Sequence, residues 1–291
     1  MITASATVVS GDLAECHSTG DHDSDRDVPW WSFTKTLIAA AALVLVRDGR
    51  LQLDTHMPGR RFTLRQLLQN RAGVPNYGGL AAYHRDVAAN RDPWPVAELL
   101  RAVDADQLRF SPGEGWEYSN VGYLLVRQAI EEACGSDLDH ALKRLVFAPL
   151  GIAGARVALA RADLADVAMG EAASYHPGWV YHGLAVGPIG DAASILDRLL
   201  TGDLLPAPLL AAMCDAHPLG GPVEGRPWQT AGYGLGLMIG TGRVGQRVLG
   251  HTGGGPGSVI AVYRCPARNR TIAAFSPSAD ENAVESFAFA D

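Results

Sequence analysis

The stretch Trp30-Trp31-Ser32-Phe33-Thr34-Lys35-Thr36-Leu37-Ile38-Ala39-Ala40-Ala41-Ala42-Leu43-Val44-Leu45-Val46-Arg47-Asp48-Gly49 decides how this chain is read. Residues 32–48 form a helix pattern that is apolar nearly all round, as in a helix enclosed at the centre of a protein, and Gly49 supplies its stop. The uninterrupted apolar run is ten residues, 37–46, about half of the roughly 20 needed to cross a bilayer, so no membrane partner is expected. Ser32 and Lys35 stand three positions apart at the helix start and share one face. There the unpaired N–H groups and the helix dipole favour negative charge on a serine oxygen. A serine is a weak nucleophile until a base takes its proton, and a lysine desolvated by this apolar wall can serve. The plainer alternative is a capping serine beside a solvated lysine.

Lysine is rare in this chain. Of 24 basic residues only Lys35 and Lys143 are lysines, and the rest are arginines. Arginine cannot be deprotonated in a protein, whereas burial can push lysine to its neutral, basic form. Lys35 lies beside the most apolar helix. Lys143, in Leu142-Lys143-Arg144-Leu145-Val146-Phe147, is expected to face solvent.

The 291 residues are 47% hydrophobic and 19% charged, with a formal net charge of -7. That is enough chain to bury a core in one large domain or two smaller ones. The balance offers no basic field for phosphates, which argues against nucleic acid as a partner. Cys16, Cys134, Cys214 and Cys265 form no C-x-x-C pair, so reduced, mostly buried thiols are expected instead of a zinc site or disulfide scaffold. Residues 1–25 contain no Lys or Arg and no apolar signal-peptide core, which makes a cytoplasmic location the expectation. The alternating acids of 21–27 lack the glycine and glutamate of a calcium loop, Arg26 and Ser32 standing in those places, and read as a solvated loop. No cofactor and no metal is expected.

Residues 4–20 alternate around Ser10-Gly11-Asp12 and predict a β-hairpin. Apolar spacing of i, i+3, i+4 predicts helices over 64–70, 95–103, 121–134, 138–147 and 191–200. After residue 226 short β-type runs, 233–239, 247–250, 259–263 and 271–276, are punctuated by glycine and followed by a closing helix over 282–288. The expectation is a mixed α and β fold. Residues 1–56 and 226–291 form a sheet subdomain, residues 57–225 a helical subdomain inserted into it, and the cleft between them is the natural ligand site. Gly240-Thr241-Gly242-Arg243-Val244-Gly245 resembles a dinucleotide fingerprint but has no helix after it, and reads as a hairpin turn.

A second candidate is the turn-rich Phe110-Ser111-Pro112-Gly113-Glu114-Gly115-Trp116-Glu117-Tyr118-Ser119-Asn120, leading into the helix over 121–134, and a third is His251-Thr252-Gly253. Alone, Tyr118 reads as a packed tyrosine and Asn120 as a helix cap. Ser32 to Lys35 as S-x-x-K, Tyr118 to Asn120 as Y-x-N and His251 to Gly253 as H-T-G appear in the order found in the serine β-lactamase and penicillin-binding-protein superfamily. The chain resembles that superfamily, especially class C β-lactamases, D-alanyl-D-alanine carboxypeptidases and family VIII carboxylesterases, over most of its length. Phe62-Thr63-Leu64-Arg65-Gln66-Leu67-Leu68, Pro149-Leu150-Gly151 and Tyr233-Gly234-Leu235-Gly236 carry the same likeness.

The resemblance implies a β-lactamase/transpeptidase-like fold, an antiparallel sheet flanked by helices, and a two-step acyl transfer. Ser32 would attack the carbonyl; Tyr118, its pKa lowered by the Lys35 ammonium, would take the proton with Lys35 and return it to the leaving group. Asn120 would hold substrate or Lys35. His251, Thr252 and Gly253 would contact substrate, and the N–H groups of Ser32 and Gly254 would form the oxyanion hole. His251, mostly neutral at pH 7, stands where carboxylate-binding relatives often carry lysine. That favours a carboxylesterase acting on small acyl esters or amides. The alternatives are a β-lactamase or D-alanyl-D-alanine carboxypeptidase or D-amino-acid peptidase, with a lactam or peptide substrate, and a non-catalytic binding protein of the same fold. Trp31, where the family usually has a small residue, either narrows the acyl pocket or packs the helix start. Tyr77, Trp179, Tyr181 and His182 are candidates for the rim.

Overall fold

The computed structural model describes residues 1–19, 25–202 and 204–290; part of the acidic segment 21–27 lies outside them. The first hairpin pairs β1 (Ala4–Val9) with β2 (Asp12–Ser18). Its turn residues Ser10 and Gly11 both have positive φ, 54° and 94°, the handedness that a two-residue hairpin loop requires. Short β3 (Val28–Pro29) leads through a single 3-10 turn (Trp31–Phe33) into α1 (Thr34–Arg47). Residues 34–45 of α1 are all buried, which is why the sequence there is apolar on every face.

The inserted section carries α2 (Leu64–Leu68), α3 (Ala81–Ala88), α4 (Val96–Ala102), α5 (Asn120–Cys134) and α6 (Leu138–Leu142). Local chemistry sets several of these ends. Thr63 and Gln66 close a capping box on α2, and Gly135 at φ 64° ends α5 in the left-handed conformation. β4 (Arg156–Ala158) and β5 (Leu184–Gly187) join β3 in a small sheet of order β3-β5-β4. There follow α7 (Ile189–Thr201), α8 (Ala207–Met213), β6 (His217–Gly220), β7 (Trp228–Tyr233), β8 (Met238–Gly242), β9 (Arg247–Gly255), β10 (Ser258–Cys265), β11 (Arg270–Ser276) and α9 (Glu281–Ala288).

Among the described residues the main sheet has eight strands, all antiparallel, in the order β2-β1-β11-β10-β9-β8-β7-β6. The N-terminal hairpin docks on the C-terminal strand, so the two ends of the chain share one sheet, as the sequence predicts. Both faces of that sheet are covered. Ile260, Val262, Ala273 and Phe275 join the core with α1 and α7, while the alternating Val259, Ala261, Tyr263, Ile272 and Ala274 pack with Val284 and Ala288 of α9. Double coverage explains why β10 is buried along its whole length and why residues 259–263 read as an unbroken apolar run.

Some expectations need correction. A helical section reaching residue 225 runs too far. α7 packs on β1, β10 and β11, and β6 is the edge strand of the main sheet, so the chain from Ile189 onward sits with the sheet. The run 233–239 is the β7–β8 turn with its flanks, not a strand. α3, α8, β4 and β5 lie within the section read as helical. The four cysteines are free, but only Cys265 is buried. Lys143 is half-exposed and pairs with Asp139 at 2.7 Å, in line with its expected place at the solvent. Among the described residues no helix is long and apolar enough to cross a membrane.

Candidate active site

Ser32 sits in the 3-10 turn at the head of α1, and Lys35 lies one turn further on, fully buried. Trp31, immediately before the serine, has φ 35°. A bulky residue in that region is strained by roughly 1–3 kcal/mol, and here the surroundings hold it. Its indole N–H donates to Ser258 Oγ at 3.0 Å and its ring meets Tyr175 edge-on at 5.6 Å between centroids. Gly255 gives it room, since a Cβ there would collide with the Trp31 ring. Trp31 therefore packs the helix start and also walls a small pocket beside Ser32.

Lys35 Nζ is 3.0 Å from Ser32 Oγ and 3.1 Å from His182 Nε2. Burial drives the Lys35 amine well below its ordinary pKa, which favours the neutral form that can take a proton. His182 is also driven well below the usual imidazole value, by burial first and then by Lys35. Its Nδ1 is turned toward the Trp31 backbone without closing a hydrogen bond. Nε2 is thereby left to accept an N–H from Lys35, whose Nζ also donates to Ser32 Oγ.

Tyr118 presents its ring to Lys35 Nζ, 4.9 Å from the centroid, and its hydroxyl is bonded to Ser32. Here an expectation fails. Burial pushes the Tyr118 phenol well above its ordinary value, the Ser32 hydrogen bond only partly opposing this. The buried, neutral Lys35 supplies no ammonium to lower it. Burial thus moves the two groups in opposite directions, Lys35 toward its neutral amine and Tyr118 toward its protonated phenol. The Tyr118-Ser119-Asn120 turn is pinned from one side by the segment 70–76. Asn70 Oδ1 accepts the Ser119 N–H at 3.1 Å, Ser119 Oγ donates to the Pro75 carbonyl at 3.0 Å, and Asn76 Oδ1 accepts both the N–H and the side-chain amide of Asn120 at 3.1 and 3.2 Å. The helix cap is Ser119, and Asn120 begins the helix. Asn120 is tied to Asn76, while the Lys35 partner is His182.

β9 delivers the third motif with the alternation of a strand. Gly253 faces α1 so closely that a Cβ there would stand 2.6 Å from Ser32 N. On the same face His251 is buried, its Nδ1 donating to the Thr252 carbonyl at 2.6 Å and its Nε2 accepting the Tyr233 hydroxyl at 3.0 Å. Burial lowers its pKa to about 3, so His251 is neutral, as the sequence reading holds, and both ring nitrogens are engaged. Thr252 turns the other way. Its hydroxyl donates to Glu285 and meets the Tyr263 hydroxyl at 2.8 Å, which ties β9 to α9 and takes that hydroxyl from substrate. Gly254 pairs with Val259 of β10 and borders the cleft.

Two cavities meet at Ser32. The larger, about 420 Å³, is lined by Trp116, Tyr118, Tyr233, His251, Gly254 and Glu281 among others, and a smaller one of about 120 Å³ lies between Trp31, Tyr77, Tyr83, Tyr175 and His182. Tyr77, Trp179, Tyr181 and His182 are buried, so they form the wall behind the site and not its rim. Sequence reasoning passed over Asn70, Asn76, Arg226, Glu281 and Glu285. None stands in a motif, and only the folded chain brings them to the cleft. The rarity of lysine did single out Lys35.

A serine bonded to a buried neutral lysine and a tyrosine, on this sheet and helix arrangement, defines a serine hydrolase of the β-lactamase and penicillin-binding-protein fold. The chain belongs to the beta-lactamase family, whose model matches residues 3–289. It is 25% identical to penicillin-binding protein 4* of Bacillus subtilis (strain 168) over 87% of this chain and 61% of that one. It is 32% identical to esterase EstB of Burkholderia gladioli over 42% of this chain and 36% of that one. A D-stereospecific amidohydrolase structure from Streptomyces sp. superposes with a TM-score of 0.83 at 24% identity, covering 98% of this chain and 93% of its own. The chain thus spans less than two thirds of the length of these two sequence relatives.

Proposed function

We propose that this protein hydrolyses small esters or amides through an acyl-enzyme on Ser32. The observation that carries the reading is the Ser32 Oγ to Lys35 Nζ contact of 3.0 Å, opening on a cleft of about 420 Å³. Lys35 takes the hydroxyl proton as Oγ attacks the carbonyl carbon. The N–H groups of Ser32 and Gly254 receive the developing oxyanion, and Gly254, without a side chain, admits the carbonyl to the strand. As the tetrahedral intermediate collapses, the proton passes from Lys35 through the Tyr118 hydroxyl to the leaving oxygen or nitrogen. Water then attacks the acyl carbon and gives a proton through Tyr118 to Lys35, which passes it to Ser32 Oγ as the C–Oγ bond breaks and the acid leaves. His182 positions the Lys35 amine throughout.

His251 supports an ester or amide over a penicillin or a C-terminal peptide carboxylate. It is neutral and offers neither ring nitrogen to an anion. The names of the relatives, a penicillin-binding protein, an esterase and an amidohydrolase, are all compatible with acyl transfer. Turnover of p-nitrophenyl butyrate at pH 8 by wild type and Ser32→Ala, with intact-mass detection of a butyryl adduct, tests the reading. Turnover and adduct in the wild type and their loss in the variant support it. Equal rates, or no adduct under turnover, overturn it.

A further inference from the structure

We infer that the cleft is built for an acyl substrate carrying a protonated amine close to its scissile carbonyl, and that Glu281 is the carboxylate that receives it. The inference rests on the proposed role of Ser32 and goes on to name the substrate class.

The charged side chains lining the larger cavity are Arg226 and Glu281. Arg226 already serves a buried partner. Its Nε donates to Glu285 Oε2 at 2.8 Å and its second terminal nitrogen donates to Glu285 Oε1. Glu285, fully buried, also accepts the Trp228 indole N–H at 3.1 Å and the Thr252 hydroxyl. Hydrogen-bond partners thus converge on both of its oxygens. The guanidinium charge is thereby matched behind the cleft wall. Its remaining nitrogen lies 2.8 Å from Glu281 Oε2 and acts as an anchor that fixes the direction of that side chain.

Glu281 is thus the unbalanced charge of the cleft. Its side chain is 41% exposed, and Oε1 accepts no hydrogen bond from the described residues. That oxygen stands 3.3 Å from where a Cβ on Gly254 would be, against the strand residue whose N–H is proposed to hold the oxyanion. His251 is neutral, and Lys35, which gains charge only by taking the Ser32 proton, does not line this cavity, so among the described residues no cation other than the already paired Arg226 faces Glu281 there. A carboxylate beside a developing oxyanion opposes the reaction of an uncharged substrate through like-charge repulsion. An ammonium on the carbon next to the carbonyl, lying between Glu281 Oε1 and the oxyanion, removes that penalty and is drawn in by the same charge. The site therefore discriminates by electrostatics between a free amine and its acylated or deleted counterpart.

The test compares alanine p-nitroanilide, in both enantiomers, with the p-nitroanilide of propionic acid, which lacks only the amine. Wild-type kcat/KM is expected to favour the better alanine enantiomer by about tenfold, and Glu281→Gln to reduce that ratio to near one. Glu281→Asp, which keeps the charge, is expected to recover part of the preference, which separates recognition from a disturbed Arg226. A wild-type ratio near one, or a ratio that Glu281→Gln leaves unchanged, overturns the inference. A readout that needs no turnover is calorimetric binding of alaninamide and propionamide to Ser32→Ala and to the Ser32→Ala, Glu281→Gln double variant. Tighter alaninamide binding that the second substitution abolishes supports the inference even if Ser32 proves not to be acylated. Equal binding of the two amides in Ser32→Ala overturns it even if Ser32 is acylated.

Discussion

Lys35 Nζ is held between Ser32 Oγ at 3.0 Å and His182 Nε2 at 3.1 Å, so the one fully buried lysine of the chain is flanked by a hydroxyl and a neutral imidazole. Neither neighbour stabilises an ammonium as a carboxylate would, and burial disfavours it, which makes this nitrogen a base at neutral pH. Acylation is expected to rise with pH as one group, with a midpoint well below the ordinary lysine range, and then to level. Lys35→Arg keeps a positive charge that cannot be lost, and is expected to reduce kcat/KM by about 10²–10⁴ at every pH. Stopped-flow acylation with p-nitrophenyl butyrate between pH 5 and 10 measures both. A profile unchanged in Lys35→Arg removes Lys35 from the chemistry.

In the proposed reaction His182 acts on Lys35 alone, through the 3.1 Å contact of its Nε2 with Nζ. Replacing it with leucine leaves Lys35 free to turn Nζ away from Ser32, and a misplacement of this kind costs roughly 10²-fold. The expected result for His182→Leu is a fall in kcat of that order with KM little changed. His182→Gln, which still offers an acceptor, is expected to recover part of it. Equal losses in the two variants, with native melting, would reduce His182 to packing.

Gly253 is where strand β9 and the nucleophile come closest. A methyl at this position would stand 2.6 Å from Ser32 N and 2.8 Å from the Trp30 carbonyl oxygen. Both are backbone atoms, so the conflict must be met by moving the turn that carries Ser32. Gly253→Ala is expected to lose about 10²-fold or more in acylation while costing about 1–3 kcal/mol in stability, as overpacking does. Adduct formation by intact mass and urea unfolding, taken together, separate the two effects. Full activity in Gly253→Ala would show that the turn at Ser32 does not depend on this approach.

Much of this was legible in the sequence, and the reasons differ from residue to residue. α1 was legible because its burial on every side leaves an apolar run that no exposed helix has. The hairpin at Ser10-Gly11 and the stop at Gly49, φ 71°, were legible because positive φ selects few residue types. The shared sheet of first and last strands followed from where β patterns stop and resume. β6 was hidden because His217-Pro218-Leu219-Gly220 is an exposed edge strand whose pattern is set by solvent, not by a core. The serine, lysine and tyrosine were visible because short spacing fixes them. His182 was read only as a rim residue, and Arg226 and Glu281 not at all, since the His182 contact with Lys35 spans 147 residues of chain and the other two meet the cleft only in the fold. The electrostatics also ran against the sequence reading at Tyr118, where burial, which no motif records, outweighs any charge beside it.

Two buried imidazoles make acid stability a direct test of the site. His251, at about 3, and His182, also well below its ordinary value, are neutral in the fold and protonate near 6.5 once exposed. The unfolded chain therefore binds more protons than the native one as pH falls below 6.5, and stability must fall with it. Each histidine contributes about 1.4 kcal/mol per pH unit, so together they give up to about 2.7 kcal/mol per unit. For His251 the loss continues until pH approaches its folded value near 3. Carboxylates held low by their partners, such as Asp54 beside Arg65 and Asp163 at its backbone cap, enter only below about pH 4. Lys35, charged once unfolded, and the less buried His176 and His217, whose pKa values are also lowered, add slope of the same sign, so the two imidazoles are read from variants in urea unfolding at half-unit steps from pH 7 to 4.5. His251→Asn and His182→Gln are each expected to lower the wild-type slope by about 1.4 kcal/mol per unit, and a slope that His251→Asn leaves unchanged would contradict the neutral, doubly engaged His251.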